Sequence, residues 1–564
     1  MIENFAMPVY DVCVIGAGPA GIVASLELAD AGLSVVLVES GIEGFNSCAQ
    51  RLSDAVVTTP LSQSVMVDAV RRGLGGTSVL WGGRCVPLDE IDFEQRDFVP
   101  DSGWPLKESD ILPFYQRACE FLGVVNADFN VNSCAHLANA AQQLSANFKD
   151  SDNMSAVNLE RWCREPNAWV THKHTIQTNS RITVLSNFTC VGFFQASLNG
   201  AVSEAVVRST GPDQANLLNI KAKVFVIACG GIESTRLVLN SMDNCLGLKL
   251  TSATLVGRYY MGHPSGKIAD ISLSGDPKKT IYGFERDSDV YVRRRITFSP
   301  RILRENSLLN IAFWLDNAPL ADWRHGNGVL SAAYLALTLP FISGFLAPAA
   351  IRKRMLGSRG IEITHHVWNC LRQPLKTVAF CLKFFYQRYM SKPRVPGFFT
   401  FSENNIYALH YHAEQVPNCN STITLADEVD SHGLRKARIA LRWSYQDIDS
   451  IIRSHSVLDA ELQETGAGRL IYRYPVETLR EIIHDQAMDG YHQIGTLRMG
   501  TDPSTGVTDS FGMIFGTSNC YVASSAVFPT SGQANPTLSI VALAIRQAKH
   551  IIAVTTFQQK AAHA

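Results

Sequence analysis

The sequence predicts an α/β protein, in which a Rossmann-like domain with a parallel sheet is joined to a second domain with an antiparallel sheet and an apolar and basic helical insertion. Three observations carry this prediction. A glycine-rich strand–turn–helix unit opens the chain, a histidine and an asparagine stand in Gly/Pro-rich settings near its end, and strand-like segments lie between them. A nucleotide cradle near one end and a base near the other imply that the two ends meet at one site.

The N-terminal unit is typical of a dinucleotide-binding cradle. A buried strand over Tyr10–Ile15 precedes a G-x-G-x-x-G turn, a helix over residues 20–31 and a second strand that leads to Glu39. The glycines of the turn are Gly16, Gly18 and Gly21. Such glycines permit a tight turn, close approach of a pyrophosphate and tight packing of helix on strand. Glu39 has the spacing of an acid that binds ribose hydroxyls and repels a 2′-phosphate; the unit alone leaves FAD and NAD both open.

The overall composition limits the class of protein. The chain has 564 residues, of which 46% are hydrophobic, enough for a large two-domain core. Its net charge of −1 argues against a nucleic-acid partner, because phosphate contacts need a basic surface. The 13 cysteines form no C-x-x-C pair, so we expect no metal site and a reducing compartment. The N-terminus lacks a signal-peptide pattern, which predicts a cytoplasmic protein, peripheral at the inner face of the membrane if it binds one.

The nucleotide-binding domain is predicted to be discontinuous. It takes residues 1–104, 221–264 and 485–564, and the substrate domain takes residues 105–220 and 265–484. The substrate domain contains strand-like segments with alternating polarity and many β-branched residues. These segments are Val290–Phe298, 308–315, 406–415 and 437–443. A helical pattern follows over residues 446–464.

Several motifs resemble the glucose–methanol–choline (GMC) family of FAD oxidoreductases. The interior motifs are RRGLGGTSVLWGGRC at 71–85, SGWPL at 102–106, VFVIACGGIESTRLVLNS at 224–241, VGRYYMGHP at 256–264 and HAEQVPNCNSTITL at 412–425. The C-terminal motifs are YHQIGTLRMG at 491–500 and FPTSGQANPT at 528–537. Within the family, ACGGIES and FPTSGQANPT are most similar to the branch of sugar and polyol oxidoreductases that includes pyranose oxidase.

The resemblance implies that FAD is bound without a covalent link. The pyrophosphate would lie on the first glycine turn, the adenosine ribose at Glu39 and the adenine against the backbone of Val191. The further implied cofactor contacts are Gly75, Gly76, Thr77, Ala228, Cys229, Gly230, Ser524, Pro536 and Thr537. Some relatives attach the flavin through a histidine after the second glycine loop, where this chain has Val79-Leu80-Trp81 instead. Ser524 stands where many relatives have an aspartate.

His492 and Asn535 are the candidate catalytic pair. We expect His492 to take the hydroxyl proton of an alcohol and the Asn535 amide to donate to the developing alkoxide, while a hydride passes from carbon to flavin N5. His263 belongs to the VGRYYMGHP motif and is expected to be structural. Core packing and a place beside the cofactor or substrate both remain open for Trp81, His410, His412, Glu414 and Gln415.

Residues 326–394 form an insertion that is first apolar and then basic. Residues 326–351 carry no charge, and 352–394 contain ten Lys and Arg against Glu362 alone. Pro340, Gly344 and Pro348 interrupt the apolar part, which favours helices lying in a membrane interface over a spanning helix. The aromatic residues among the basic ones fit an anionic lipid surface. An oligomer interface and a buried helix pair remain alternatives.

The predicted activity is FAD-dependent oxidation of an alcohol group of a sugar or polyol to a carbonyl. The substrate is lipid-linked if the insertion brings the enzyme to a membrane. The sequence leaves open which sugar is oxidised, at which carbon, and whether oxygen or another acceptor takes the electrons. Two alternatives are an NAD-linked alcohol dehydrogenase and a non-catalytic, membrane-bound binding protein of the same fold. Flavin absorbance of the purified protein would exclude the NAD-linked dehydrogenase. Bleaching of the flavin by substrate would exclude the non-catalytic binding protein.

Overall fold

The computed structural model describes residues 8–60, 62–134, 137, 139, 142–211, 217–243, 247–339, 343–344, 352, 356 and 362–563. The strands are β1 Tyr10–Ile15, β2 Val35–Glu39, β3 Val56–Val57, β4 Arg84–Cys85, β5 Met154–Trp162, β6 Ile182–Ser186, β7 Phe188–Gln195, β8 Val202–Ser209, β9 Leu217–Ile227, β10 Ser265–Leu273, β11 Glu285–Asp287, β12 Val290–Phe298, β13 Ile311–Asp316, β14 Ile406–Ala413, β15 Thr422–Val429, β16 Arg435–Ala440, β17 Gly468–Tyr472 and β18 Cys520–Val522. The helices are α1 Pro19–Asp30, α2 Ser47–Arg51, α3 Met66–Ala69, α4 Glu90–Phe93, α5 Leu112–Leu122, α6 Ala168–Thr178, α7 Gly230–Met242, α8 Pro300–Glu305, α9 Gly328–Thr338, α10 Ile363–Arg372, α11 Pro374–Phe385, α12 Tyr445–Glu464, α13 Leu479–Gln486 and α14 Thr537–His563.

The first sheet carries the predicted nucleotide-binding topology. β6, β2, β1 and β9 lie side by side in parallel, and β18 pairs in parallel with the C-terminal half of β9. The N-terminal half of β9 pairs antiparallel with β8, which pairs in turn with β7. Strand β1 covers the predicted residues, and its Val12 and Val14 are fully buried between layers, as expected of a central parallel strand.

This sheet contradicts one predicted domain boundary. β6, β7 and β8 lie within residues 105–220, which we predicted for the substrate domain, yet β6 extends the parallel sheet through pairs such as Val35 with Ile182. The two paired strands are more than 140 residues apart in the chain. Local periodicity identifies a strand but carries no information on a partner that far away.

The last helix closes the nucleotide-binding layer. Residues Thr537–Phe557 of α14 are long and apolar enough to cross a membrane, but 56% of an apolar run of 18 residues within them is buried inside the protein. It packs against α1 and α5 over the sheet. α14 is therefore a core helix that joins the C-terminus to the N-terminal cradle, and its long apolar run reflects this burial.

The second sheet is antiparallel, as predicted for the substrate domain. Its order is β17-β10-β14-β13-β12-β5-β4, with β11 beside β12, and α12 covers a core that includes Phe313, Leu409 and Leu458. The segments 308–315 and 406–415 overlap β13 and β14, and Val290–Phe298 is β12. The prediction that segment 437–443 joins this sheet is wrong, because β16 pairs with β15 and β3 in a separate three-stranded sheet. Alternating polarity in the sequence does not specify a pairing with β3, which lies near the N-terminus. The α/β fold class is confirmed.

The insertion is helical in its described part. α9 spans 11 residues and is buried on one side against α10 and α11, where Tyr334 stacks on His366 at 4.0 Å. Residues 340–342, 345–351, 353–355 and 357–361 of the predicted insertion 326–394 lie outside the described residues. The buried-helix alternative therefore applies to α9. By contrast, α10 and α11 expose large apolar side chains.

Candidate active site

A cavity of about 420 Å³ opens where β1 and β2 end. Its wall begins at Ile15, Val38 and Glu39, at the carboxyl edge of the parallel strands, which is where open α/β sheets bind ligands. His492 and Asn535 from the C-terminal part of the chain line the same cavity. The two ends of the chain thus meet at one site.

The first glycine turn fits a dinucleotide. A side chain at Gly16 would place its Cβ 2.5 Å from the carbonyl oxygen of Ala228, and one at Gly21 would place it 1.9 Å from the oxygen of Gly16. No atom lies within 4 Å of a Cβ built at Gly18. Gly16 and Gly21 therefore allow β1, β9 and α1 to pack closely, whereas Gly18 leaves the cavity side open. Gly18 also caps α1 without a side-chain hydrogen bond, so the free N–H groups of the first helical turn suit a phosphate.

Glu39 lies buried in the cavity wall. Its carboxylate accepts hydrogen bonds from the backbone N–H groups of Ala17 and Gly41, both at 2.9 Å. Burial raises the pKa of Glu39, and the two N–H donors and the nearby Arg72 act in the opposite direction. The carboxylate thus fixes the end of the glycine turn, and its binding of a ribose stays a prediction.

The other predicted cofactor residues fall into two groups. Those in the cavity wall are Gly16, Gly18, Glu39, Gly76, Thr77, Ala228, Cys229, Gly230, Ser524, Pro536 and Thr537. Gly21 and Gly75 lie behind the wall, and a Cβ at Gly75 would approach the Asn167 amide oxygen to 2.4 Å. The wall includes residues 188–190, which directly precede Val191, and a contact of Val191 with the adenine stays a prediction. Val191 falls at a register shift between β7 and β8, which regular strand alternation does not anticipate.

A tight turn presents His492 to the cavity. The preceding residues Gly490 and Tyr491 have positive φ angles of 64° and 63°. The left-handed conformation is unfavourable for tyrosine, and the surroundings hold it in place. The Asp489 carboxylate accepts hydrogen bonds from the Tyr491 N–H at 3.2 Å and from the Gln63 side chain at 2.8 Å. Asp489 thereby fixes the position of the imidazole.

A chain of hydrogen bonds sets the tautomer of His492. His263 Nε2 lies 3.3 Å from the carbonyl oxygen of Ser531, which can only accept, so Nε2 of His263 carries the proton. Nδ1 of neutral His263 is then an acceptor, and it lies 2.7 Å from Nδ1 of His492. His492 must therefore donate from Nδ1 and keep the lone pair on Nε2. That nitrogen lies 2.9 Å from Nδ2 of Asn535, an amide donor.

The surroundings keep His492 neutral. Burial lowers its pKa well below the usual value, and His263 and Arg84 add to the effect. Burial likewise lowers the pKa of His263 to about 4. A neutral imidazole with its lone pair towards the cavity is the form that accepts a proton.

His263, His412 and His492 form a cluster whose ring nitrogens lie within 4.8 Å of one another. Such a group could bind a metal. However, the 2.7 Å between the Nδ1 atoms of His263 and His492 is shorter than the roughly 3.3 Å expected of two nitrogens on one tetrahedral zinc. Nδ1 of His412 donates to the carbonyl oxygen of Gln533 at 2.7 Å. The distances therefore fit hydrogen bonding between imidazoles.

The loop 531–533 is held by residues of both predicted domains. Gln533 accepts from Arg295 at 2.6 Å and donates to Asp89 at 2.8 Å, and the Ser531 hydroxyl accepts from the Gln415 N–H at 3.0 Å. Of the residues left open above, Trp81 lines the cavity. The others make interior contacts: Glu414 pairs with Arg96, His410 stacks on Trp314, and His412 stacks on His263.

Sequence reasoning missed several residues of the cavity wall, Arg84 and Tyr491 among them, and the role of His263. Arg84 and Tyr491 line the cavity, and His263 touches His492. Arg84 follows the glycines of RRGLGGTSVLWGGRC, and Tyr491 directly precedes His492, so both lay within motifs already singled out. His263 was expected to be structural, but its contact with His492 makes it a positioning residue.

This geometry predicts distinct effects of two substitutions at His263. His263→Leu removes the acceptor for Nδ1–H of His492, so kcat should fall about tenfold or more, as expected when the orienting partner of a base is lost. His263→Asn offers an amide oxygen close to the position of Nδ1 and should restore kcat to within about threefold of wild type. KM should stay unchanged in both, since His263 does not line the cavity. Equal losses of kcat in both variants would contradict the tautomer assignment.

Comparison with known proteins agrees with these features. Residues 417–544 match the family described as GMC oxidoreductase, and residues 11–72 match an FAD-binding domain. The chain is 24% identical to paromamine 6'-oxidase of Streptomyces fradiae, over 96% of this chain and 91% of that protein. It is 22% identical to 6'''-hydroxyparomomycin C oxidase of Streptomyces lividus, with the same coverage of 96% and 91%.

A solved structure shows the same fold. A fungal aryl-alcohol oxidase superimposes with a TM-score of 0.54 at 13% identity, over 98% of this chain and all of that one. The FAD-binding match also decides between the two cofactors that the glycine turn left open. The chain thus has matches to an FAD-binding domain at its N-terminal end and to the GMC oxidoreductases at its C-terminal end, and it is an FAD-dependent alcohol oxidoreductase.

Proposed function

We propose that this protein oxidises an alcohol group of a sugar-like substrate or polyol to a carbonyl, with His492 as the base. The observation that carries the proposal is the fixed pair at the cavity wall, in which Nε2 of His492 bears a lone pair 2.9 Å from the Asn535 amide. A hydroxyl group within hydrogen-bonding distance of both atoms would donate its proton to His492 and accept a hydrogen bond from Asn535.

The side chains of this site act before and during loss of the alcohol proton. Nδ1–H of His492 stays bound to His263, so the proton taken up enters at Nε2. Asn535 stabilises the alkoxide that forms, because its amide donates without titrating. FAD, when bound, supplies the acceptor for the hydride that leaves the alcohol carbon. Arg84 lines the cavity and lowers the pKa of His492, which keeps the base unprotonated before the reaction.

The names of the relatives support the substrate class and the electron acceptor. Two proteins related over 96% of this chain are described as paromamine 6'-oxidase and 6'''-hydroxyparomomycin C oxidase, which supports a sugar-like alcohol as substrate. Dioxygen as acceptor would give one carbonyl and one hydrogen peroxide for each alcohol oxidised. The proposal is restricted to sugar-like alcohols and polyols, because identities of 24% and 22% do not specify the substrate.

An anaerobic titration of the holoenzyme tests this function. The purified protein should show flavin absorbance that bleaches on addition of the correct sugar and not on addition of the matched deoxy sugar. The panel should contain amino sugars, neutral sugars and polyols, each beside its deoxy analogue. Admission of air should restore the absorbance and release peroxide in equal amount to product. Bleaching by none of the alcohols would refute the substrate class, and bleaching without reoxidation by air would refute oxygen as acceptor.

A further inference from the structure

Helices α10 and α11 expose an apolar stripe. On α11 and the helical turn Tyr386–Met390 that continues it, large apolar side chains recur at spacings of three and four residues, so they share one face. We call these residues the stripe: Leu375, Val378, Leu382, Phe385, Tyr386, Tyr389 and Met390. Leu375 is 86% exposed, Leu382 67% and Met390 69%. Residues Val367, Trp368 and Leu371 of α10 are also exposed.

The stripe is distinct from the side of α11 that packs on the protein. Thr377, Phe380 and Phe384 lie on the opposite side of the helix, and the rings of Phe380 and Phe384 meet Phe398 at 5.6 and 5.3 Å. α11 therefore has two apolar sides, of which the packing of the chain needs only one. A second apolar face that stays in water lowers solubility, and exposed patches of this kind mark binding surfaces.

The charged residues of the segment that carries the stripe all have one sign. Residues 363–394 contain six Lys and Arg and no Asp or Glu. Lys376 and Lys383 lie one heptad apart on α11, about 100° round the helix from Leu375 and Leu382, at the border of the stripe. Lys376 lies 3.8 Å from the carboxylate of Glu403, and because both groups are exposed this pair neutralises little of the charge.

We propose that α10 and α11 dock the protein on the surface of an anionic lipid bilayer. The stripe would enter the acyl boundary while the lysines at its border meet lipid phosphates, as in other interfacial helices. A second copy of this chain fits less well, because a self-complementary contact would bring the same cations together at its rim. The inference does not depend on the proposed substrate.

The docking surface is connected to the substrate side of the cavity. Phe398 follows α11, and the ring of its neighbour Phe399 lies 5.6 Å from the guanidinium of Arg293. Arg293 and Arg84 both stack on Trp314 at 4.5 Å, and Arg84 lines the cavity. The backbone at Phe398 and Phe399 thus links the packed side of α11 to a stack of aromatic rings and guanidinium groups that reaches the site.

Flotation with vesicles tests the docking surface in the FAD-loaded enzyme. We expect binding to vesicles of phosphatidylcholine with one-third phosphatidylglycerol, and at least tenfold weaker binding to phosphatidylcholine alone. Leu375→Glu with Leu382→Glu should reduce binding at least tenfold, because two carboxylates would have to enter the interface. Lys376→Gln with Lys383→Gln should weaken binding to the anionic vesicles only, and high salt should do the same. The matched control is Leu217→Glu with Val476→Glu, which changes two exposed apolar residues elsewhere and should leave binding unchanged.

The outcomes separate a membrane from a protein partner. The Leu375/Leu382 variant must retain flavin absorbance and thermal stability, because both side chains are exposed. Equal flotation of wild type, this variant and the control would overturn the proposal. So would a wild type that ignores vesicles but sediments as a dimer that the variant dissociates, since the stripe would then join two copies. Enhanced emission of Trp368 on vesicle addition, lost in Trp368→Phe, would place α10 in the same contact.

Discussion

His492→Ala should lower kcat for alcohol oxidation by a factor of about 10² to 10⁴ while FAD stays bound, because a positioned general base contributes on this scale. The imidazole is the titratable group at the cavity wall whose lone pair the hydrogen-bond chain directs to Asn535. Anaerobic stopped-flow reduction of the flavin measures this step directly. A loss of less than about tenfold would reject His492 as the base.

The control for this experiment is His410→Ala. His410 lies on β14 of the substrate-domain sheet, where its ring stacks on Trp314 at 4.4 Å and bonds Asp316 at 3.2 Å, outside the cavity wall. It should keep kcat within about threefold of wild type. The pH profile adds a second measurement. Because the pKa of His492 lies well below 6.5, the base is neutral at and above that pH, and kcat/KM should fall only on the acid side. This acid limb should be absent from the residual activity of His492→Ala.

Gly21→Ala should lower the free energy of unfolding by more than about 2 kcal/mol. A Gly-to-Ala change inside a helix usually raises stability by up to about 1 kcal/mol. Here the new Cβ would lie 1.9 Å from the carbonyl oxygen of Gly16 and 3.3 Å from the side chain of Ala228. The backbone oxygen cannot move away without separating α1 from β1, so overpacking should outweigh the helix preference. Chemical denaturation of the FAD-free protein measures the change.

Gly18→Ala is the matched variant in the same turn. Gly18 has no atom within 4 Å of the added Cβ, so the FAD-free protein should unfold within about 0.5 kcal/mol of wild type. The methyl group would instead project to the side on which a pyrophosphate is expected. FAD affinity, followed by quenching of flavin fluorescence, should therefore fall at least tenfold. If Gly18→Ala binds FAD like wild type, the pyrophosphate does not lie on this turn.

The sequence predicted the elements whose signal is local. The strand at Tyr10–Ile15, the glycine turn and α1 follow from neighbouring residues, because an apolar run, glycine spacing and helical periodicity act over a few residues. The same holds for β12 and for α12, which begins at Tyr445, one residue before the predicted start. The FAD cofactor was likewise implied by motifs, and the FAD-binding match confirms it.

The contacts between distant segments could not be predicted in this way. The placement of β6 beside β2, the departure of β16 to a separate sheet and the position of Val191 at a register shift all depend on partners elsewhere in the chain. His263 shows this most clearly. Its motif indicated a structural residue, and the 2.7 Å contact with His492 arises only when segments 229 residues apart fold together.

The sequence by itself therefore determined the α/β class, the FAD cofactor and the choice of His492 and Asn535 as candidates. Short-range patterns of apolar, glycine and polar residues encode these features. The tertiary structure decided the tautomer of His492, its lowered pKa and the exposed stripe on α11. The physical reason is that burial, electrostatic fields and surface exposure are properties of neighbours in space, and these neighbours come from distant parts of the chain.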